Sequence, residues 1–106
     1  MRYGLKDVRT AQIAPMPDFR LRVFQAVARH LSFTKAAQEL YITQPAVTKH
    51  IRELERSYEQ RLFERRGNRV SLTEAGQLLL RYAEQVRELH HQLAEQLHTL
   101  HDTTAG

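Results

Sequence analysis

The 106-residue chain has no cysteine and no tryptophan, and it has only four glycines and three prolines. Without cysteine, neither a disulfide framework nor a thiolate metal site can form, which fits a reducing cytoplasm. No apolar run approaches the roughly 18 residues that span a membrane, and the N-terminus lacks the apolar core of a signal peptide. We therefore expect one small, soluble, intracellular domain with a modest core and room for an appended helix.

Acidic residues are scarce in the first two thirds of the chain. Residues 1–69 contain 14 Lys/Arg and 7 Asp/Glu, a net charge of +7, whereas residues 70–106 carry a net charge of −3. A basic head on a mildly acidic tail suggests that the head binds a polyanion. An ordinary solvated surface would give the same totals, so charge alone does not choose between these alternatives.

Residues 1–17 include Gly4, Pro15 and Pro17 and show no sustained periodicity, so we predict a disordered extension. Asp18 is a good N-cap for a first amphipathic helix. The predicted apolar face of this helix contains Leu21, Val23, Phe24, Val27, Ala28 and Leu31. A second, short helix over residues 35–40 is predicted to begin at a Thr34 cap, with Ala36, Ala37 and Leu40 facing inward.

A third helix is predicted after a turn at Tyr41-Ile42, with Thr43 as its cap and Gln44-Pro45 in its first turn, where proline costs no hydrogen bond. The helix should end near Tyr58. Two faces of opposite character recur at helical spacing. The apolar face consists of Val47, Ile51, Leu54 and Tyr58, and the polar, basic face consists of Pro45, Thr48, Lys49, Arg52 and Arg56.

This polar face has the chemistry of a helix that enters the major groove of DNA. Gln can bond two atoms of adenine, Lys and Arg favour guanine, and a Thr methyl can pack on thymine. The predicted base contacts on this surface are Gln44, Thr48, Lys49 and Arg52. A solvated basic face remains the alternative explanation for this helix.

Two short alternating segments, residues 61–64 and 70–72, predict a β-hairpin, because Gly67-Asn68 between them allows a positive φ. Its tip, Arg65–Arg69, has three arginines and no acid. We expect Arg65, Arg66 and Arg69 to contact the DNA backbone or minor groove, together with Lys35. The helix N-termini at Thr34 and Thr43 can present backbone N–H groups to phosphates.

A long final helix is predicted from Thr73-Glu74 to about His101, followed by a linker-like segment, residues 102–106. Leu78 and Leu79 should pack partly on the head. Apolar residues recur at steps of three and four with one stutter, at Leu79, Tyr82, Val86, Leu89, Leu93, Leu97 and Leu100. Beyond Tyr82 this seam is too long for so small a head to cover, so we expect it to pair with a second copy.

Several ordered motifs resemble the N-terminal module of LysR-type transcriptional regulators. They are SFT-x-AA-x-x-L over 32–40, TQPAVT-x-x-I-x-x-LE over 43–55, LFER over 62–65 and LT-x-AG over 72–76. The resemblance implies a mainly α fold, a winged helix-turn-helix (three helices and a two-stranded wing, residues 18–72) followed by a dimerisation helix (residues 73–101). It also implies that Gln44, Pro45, Thr48 and Lys49 read the major groove of a pseudo-palindromic operator. The expected assembly is a homodimer, with higher oligomers in the full-length protein.

Three departures from the family pattern are visible. Lys49 replaces the usual arginine and lacks its two-pronged donor fork. Glu59 stands where the family usually has a helix-ending glycine, so the helix could run on and shift the wing. Residues 1–15 are extra, and the chain stops about where an effector-binding domain would begin at the hinge, residues 102–106. We expect a separately expressed DNA-binding module, with a natural short form as the alternative, and a small-molecule effector only through that further domain.

Other classes of function have less support in the sequence. A protein-interaction module could use the Leu79–Leu100 seam, with the basic face incidental. RNA binding is a further alternative, but the sequence lacks the aromatic platforms of proteins that read single strands. An enzyme lacks support, since there is no nucleophile motif and no Gly-rich phosphate loop, and no cofactor is expected. His91, Glu95, His98 and His101 have ligand-like spacing, but polar residues on the outside of a coiled coil explain them, so no metal site is predicted. The expected location is the bacterial cytoplasm, in association with the nucleoid.

Overall fold

The computed structural model describes residues 19–105, and their side chains as far as His101. The helices are α1 (Phe19–His30), α2 (Phe33–Leu40), α3 (Gln44–Tyr58) and α4 (Glu74–Ala105). An antiparallel hairpin of β1 (Phe63–Arg66) and β2 (Arg69–Leu72) lies between α3 and α4. This is the predicted winged helix-turn-helix followed by a long helix. The predicted extension at residues 1–17 and the Asp18 cap lie outside the described residues.

The core of the head forms where α1, α2 and α3 pack on one another. Helix α1 contributes more buried residues to this core than any other element. Its Phe24 ring lies 5.3 Å from the Phe63 ring between centroids. The prediction for α1 is wrong at Leu31, which is 46% exposed and has a φ of 49°. Leu31 cannot continue the apolar face, because the left-handed backbone there turns the chain out of the helix. The fully buried side chains of the core include Leu21, Val23, Phe24, Val27, Val47 and Leu62.

Helix α2 begins two residues earlier than predicted. Ser32, not Thr34, is its N-cap: Ser32 has an extended backbone and its side chain accepts a hydrogen bond from the Lys35 N–H at 3.0 Å. Starting the helix at Phe33 buries that ring in the core, 5.8 Å from Phe63. Thr34 therefore lies inside the first turn, where its side chain is exposed.

Helix α3 is capped as predicted by Thr43, whose hydroxyl accepts from the Ala46 N–H at 3.2 Å, and Pro45 lies in the first turn. Val47, Ile51 and Leu54 are buried on its inner face. The alternative that Glu59 extends the helix is wrong. Glu59 takes the left-handed conformation at φ 56°, and its N–H bonds to the carbonyls of Arg56 and Glu55, which ends α3 at Tyr58.

Both strands of the wing extend closer to the turn than predicted: β1 ends at Arg66 and β2 begins at Arg69. Arg65 pairs with Val70 and Arg66 with Arg69, so these arginines belong to the strands and only Gly67-Asn68 forms the turn. The positive φ expected in this turn is found at Gly67, at 58°. The strands extend because a two-residue turn allows ladder pairing to continue up to the residues that flank it.

Helix α4 begins at the predicted place. Thr73 Oγ1 accepts from the Gly76 N–H at 2.9 Å and donates to the Arg61 carbonyl at 2.6 Å. Gly76 is buried, and a Cβ at this position would overlap the Leu62 carbonyl oxygen. The start of α4 can therefore approach the wing closely because residue 76 has no side chain.

Only one flank of α4 packs on the head. Leu79 and Leu80 are partly buried against the core and Ala83 is 2% exposed, whereas Leu78, predicted to pack there, is 48% exposed. Residues 87–101 are all exposed. The helix continues to Ala105 rather than ending near His101, since no proline or glycine interrupts residues 102–105. Within residues 19–105, no helix is long and apolar enough to cross a membrane.

Candidate nucleic-acid interface

The outer face of α3 gathers the side chains that the sequence predicts as base contacts. Gln44, Pro45, Lys49 and Arg52 are exposed and Thr48 is half-buried. They line one shallow surface, which also takes in Glu53 and Arg56. The face therefore presents amide, hydroxyl, ammonium and guanidinium donors from adjacent turns of a single rigid helix.

The first turns of α2 and α3 present few free backbone donors. In α2 the Lys35 N–H is used by the Ser32 cap, so the N–H groups of Phe33 and Thr34 are those without an intrahelical acceptor. In α3 the Ala46 N–H is used by Thr43 and Pro45 has none, which leaves Gln44. Each N-terminus can thus donate to an anion, with the helix dipole adding to the attraction.

A hollow lies between α3 and the wing. Gln44, Thr48 and Arg52 line one side of it, and Arg61 and Arg65 line the other. The guanidinium carbon of Arg65 lies 4.3 Å from the centroid of the Phe33 ring. This cation–π contact holds the side chain beside α3 without neutralising its charge. One predicted wing arginine is therefore brought directly next to the predicted base-contact face.

The other two wing arginines lie elsewhere. Arg66 and Arg69 face each other across the hairpin, one residue beyond the Arg65–Val70 pair. Because successive side chains in a strand alternate between faces, this pair lies on the opposite face from Arg65 and shares that face with Glu64 and Ser71. The structure thus divides the three predicted wing contacts into two sets.

The sequence-based prediction omitted Arg61, whose side chain is 76% exposed and lines the hollow between α3 and the wing. The signal available in the sequence was its charge at the start of the predicted hairpin. Arg56, assigned to the polar face but not to DNA, lines the same surface as Arg52. Lys35 is exposed on the first turn of α2.

Glu55 is partly buried, and its carboxylate has partners in the segment after α3, Leu62 and Arg61. Its side chain is 19% exposed, and Oε2 accepts a hydrogen bond from the Leu62 N–H at 2.9 Å. Glu53 is more open, at 33% exposed, and lies 3.7 Å from His50 Nδ1.

The histidines of α4 do not converge. His91 Nε2 lies 3.2 Å from Glu95 Oε2, one turn along the helix. Among residues 19–101, no group of three or more His, Asp or Glu side chains is arranged to hold a metal ion.

A helix-turn-helix with a basic outer helix, followed directly by a two-stranded hairpin, defines the winged helix-turn-helix class of proteins. A family model described as "Bacterial regulatory helix-turn-helix protein, lysR family" matches residues 19–77. The chain belongs to the lysR family.

Individual relatives agree with this assignment. The RuBisCO operon transcriptional regulator of Allochromatium vinosum is 44% identical over 87 residues, covering 82% of this chain and 29% of that protein. A solved LysR-family transcriptional regulator from Eggerthella lenta is 52% identical with a TM-score of 0.58, covering 60% of this chain and 91% of that one. The BenM DNA-binding domain in complex with benA site 1 DNA is 33% identical with a TM-score of 0.72, covering 76% of this chain and 91% of that one.

The curated relatives are much longer than this chain. It spans 29% of the A. vinosum regulator, and the matched part includes the helix-turn-helix, the wing and part of the long helix.

Proposed function

We propose that this chain binds double-stranded DNA with sequence preference, as the DNA-binding and dimerisation module of a LysR-type bacterial transcription regulator. In this proposal residues 18–72 form the DNA-binding domain and the helix that follows Thr73 joins two copies. A protein that reads genomic DNA acts where that DNA is, so we place it in the cytoplasm with the nucleoid. The relatives named above are regulators, and the solved BenM domain holds DNA.

The observation that carries this proposal is the alignment of two basic elements on one side of the head. The outer face of α3 and the Arg61 and Arg65 side of the wing line a single hollow. A helix of this size fits the major groove, and a wing beside it reaches the adjacent backbone or minor groove.

The Arg66–Arg69 pair supports the same proposal from energetics. Like charges directly opposite in an antiparallel ladder are destabilising, and neither arginine has an acidic partner among the ion pairs of the described residues. A phosphate backbone supplies the missing negative charge, and releasing its counterions adds affinity.

The roles of α3 and the wing are separable by mutation. Gln44→Ala should relax preference at one base pair per half-site, at about 1–3 kcal/mol, while leaving binding to random duplex unchanged. Arg66→Ala should weaken binding to every duplex and flatten the dependence of log affinity on log salt. Fluorescence anisotropy on a selected duplex and on a scrambled one, across salt concentrations, measures both. Equal losses on both duplexes for both variants would show that the assigned roles are wrong.

Dimer formation is proposed from the exposed seam of α4. Tyr82 is 56% exposed and the four leucines from Leu89 to Leu100 are 52–63% exposed. These side chains and Val86 lie within an arc of about 80° at 3.6 residues per turn. A second copy that covers this arc would set two α3 helices against a two-fold symmetric operator.

Sedimentation tests the dimer without reference to DNA. We expect the wild-type chain to sediment as a dimer at tens of micromolar, and Leu93→Asp to sediment as a monomer, because the Asp would place a charge in the seam. Ala94→Asp is the matched control: Ala94 is exposed and lies outside this arc, about 100° around the helix from Leu93, so the variant should remain dimeric. A monomeric wild type at this concentration would contradict the proposal.

One specific observation favours a second candidate, a protein-interaction module. The same exposed seam could bind a helix of a different protein, with the basic face of α3 incidental. Salt dependence separates the two, because an interaction module shows neither a steep loss of duplex affinity with salt nor a preference among duplexes.

A further inference from the structure

The turn between α3 and the wing is held largely by one residue of α3. The backbone carbonyl of Glu55 accepts hydrogen bonds from the N–H groups of Glu59 and Gln60, the latter at 3.1 Å. The carboxylate of Glu55 accepts from the Leu62 N–H at 2.9 Å, and Arg61 Nε lies 4.0 Å from the same oxygen. Glu55 thus accepts hydrogen bonds from three of the four residues that lead from α3 to β1, and the fourth, Arg61, lies beside its carboxylate.

Leu62 is in turn the point where three elements meet. Its side chain is buried in the core, and its carbonyl accepts from the Thr73 N–H at 3.0 Å. The start of α4 packs on that carbonyl at Gly76. The Leu62 N–H donates to α3, where the Glu55 carboxylate is its acceptor. A hydrogen bond from a backbone amide to a carboxylate is stronger than a neutral one, and removing the acceptor leaves a largely buried donor unpaired.

We propose that Glu55 is a positioning residue that fixes the wing relative to the outer face of α3, and so determines how much the wing contributes to DNA affinity. This inference rests on the DNA-binding function proposed above. It assigns no DNA contact to Glu55, whose carboxylate accepts the Leu62 N–H although the side chain lines the hollow between α3 and the wing.

A double-mutant cycle tests the inference. Glu55→Met removes the acceptor and keeps the side-chain length, whereas Glu55→Gln keeps both. Each is measured alone and together with Arg66→Ala, by anisotropy on a selected duplex and on a scrambled duplex. Glu55→Met should weaken the affinity for the selected duplex and for the scrambled duplex by roughly tenfold, about 1.4 kcal/mol, because the wing is displaced. In the Arg66→Ala background the loss should fall to less than about threefold, since two changes that act through the same wing are not additive.

Two controls separate positioning from loss of structure. Glu55→Gln should bind within about threefold of wild type, because its amide oxygen can still accept the Leu62 N–H. Glu84→Ala removes an exposed carboxylate of α4 that lines neither the outer face of α3 nor the hollow beside the wing, and it should leave the wing-dependent affinity unchanged. Thermal melts set an assay temperature at which every variant is folded.

The outcomes are distinct for the two proposals. Fully additive losses, a Gln variant as weak as the Met variant, or wild-type binding by the Met variant would overturn the role of Glu55 while leaving DNA binding intact. A wild-type chain without salt-dependent binding to either duplex would overturn both.

Discussion

Gly76 is the position at which the structure allows a stability change to be worked out most directly. An alanine Cβ would overlap the Leu62 carbonyl oxygen and lie 2.8 Å from Leu72 Cδ2 and 3.2 Å from the Leu62 carbonyl carbon. The obstacle is backbone, so the start of α4 must move away from the wing. Overpacking costs about 1–3 kcal/mol, and disturbing the bond from the Thr73 N–H to the Leu62 carbonyl costs about 0.5–1.5 kcal/mol.

The intrinsic preference of a helix for alanine opposes this loss by about 1 kcal/mol. The overlap is larger, so we expect Gly76→Ala to lower the free energy of unfolding by about 2 kcal/mol, or Tm by about 8–16 °C for a domain of this size. Urea denaturation followed by circular dichroism measures it, with the exposed Gln77→Ala as control, expected within about 0.5 kcal/mol of wild type. A Gly76→Ala variant as stable as wild type would refute the close approach of α4 to Leu62.

Two further predictions concern helix ends. Glu59→Gly should raise the free energy of unfolding by about 0.5–1 kcal/mol, because glycine adopts the left-handed cap at φ 56° without the penalty that a side chain incurs; a drop in the urea midpoint would contradict this. The hydrogen bond from His30, assisted by Arg29, holds the pKa of the Glu39 carboxyl below its ordinary value of 4.5. A lowered pKa stabilises the fold above the unfolded value and the stabilisation is lost as pH falls through the folded one. Glu39→Gln should therefore flatten the fall of stability below about pH 4.5 in melts at several pH values, and an unchanged acid limb would rule out this pair as a contributor.

Much of the head could be predicted from sequence because its signals are local. The Thr43 cap and Pro45 mark the start of α3 within four residues, and the spacing of Val47, Ile51 and Leu54 assigns its inner face. Where several residues could cap the same helix, local chemistry was not enough. Ser32 and Thr34 are both good caps, and burial of the Phe33 ring in the core is what favours a start at Phe33.

The α3 half of the candidate site could be predicted from the sequence, whereas the wing half could not. The residues on the outer face of α3 follow from helical periodicity, which brings positions three and four apart to the same side of the helix. The wing was less predictable, because a shift of strand limits by two residues decides which arginines belong to the ladder. Alternation along β1 then sends Arg65 to the α3 side and Arg66 to the other side.

The sequence by itself determined the order of the elements, the Thr43 and Thr73 caps and the basic face of α3, because these depend on interactions among residues close together in the chain. Only the tertiary structure decided which parts meet. It directs the Glu55 carboxylate to Leu62, brings Gly76 against the Leu62 carbonyl, and ends the contact of α4 with the head soon after Ala83, which leaves the seam from Leu89 to Leu100 uncovered. These contacts depend on how the elements pack and on how far the head extends along α4. A local sequence pattern does not specify either of them.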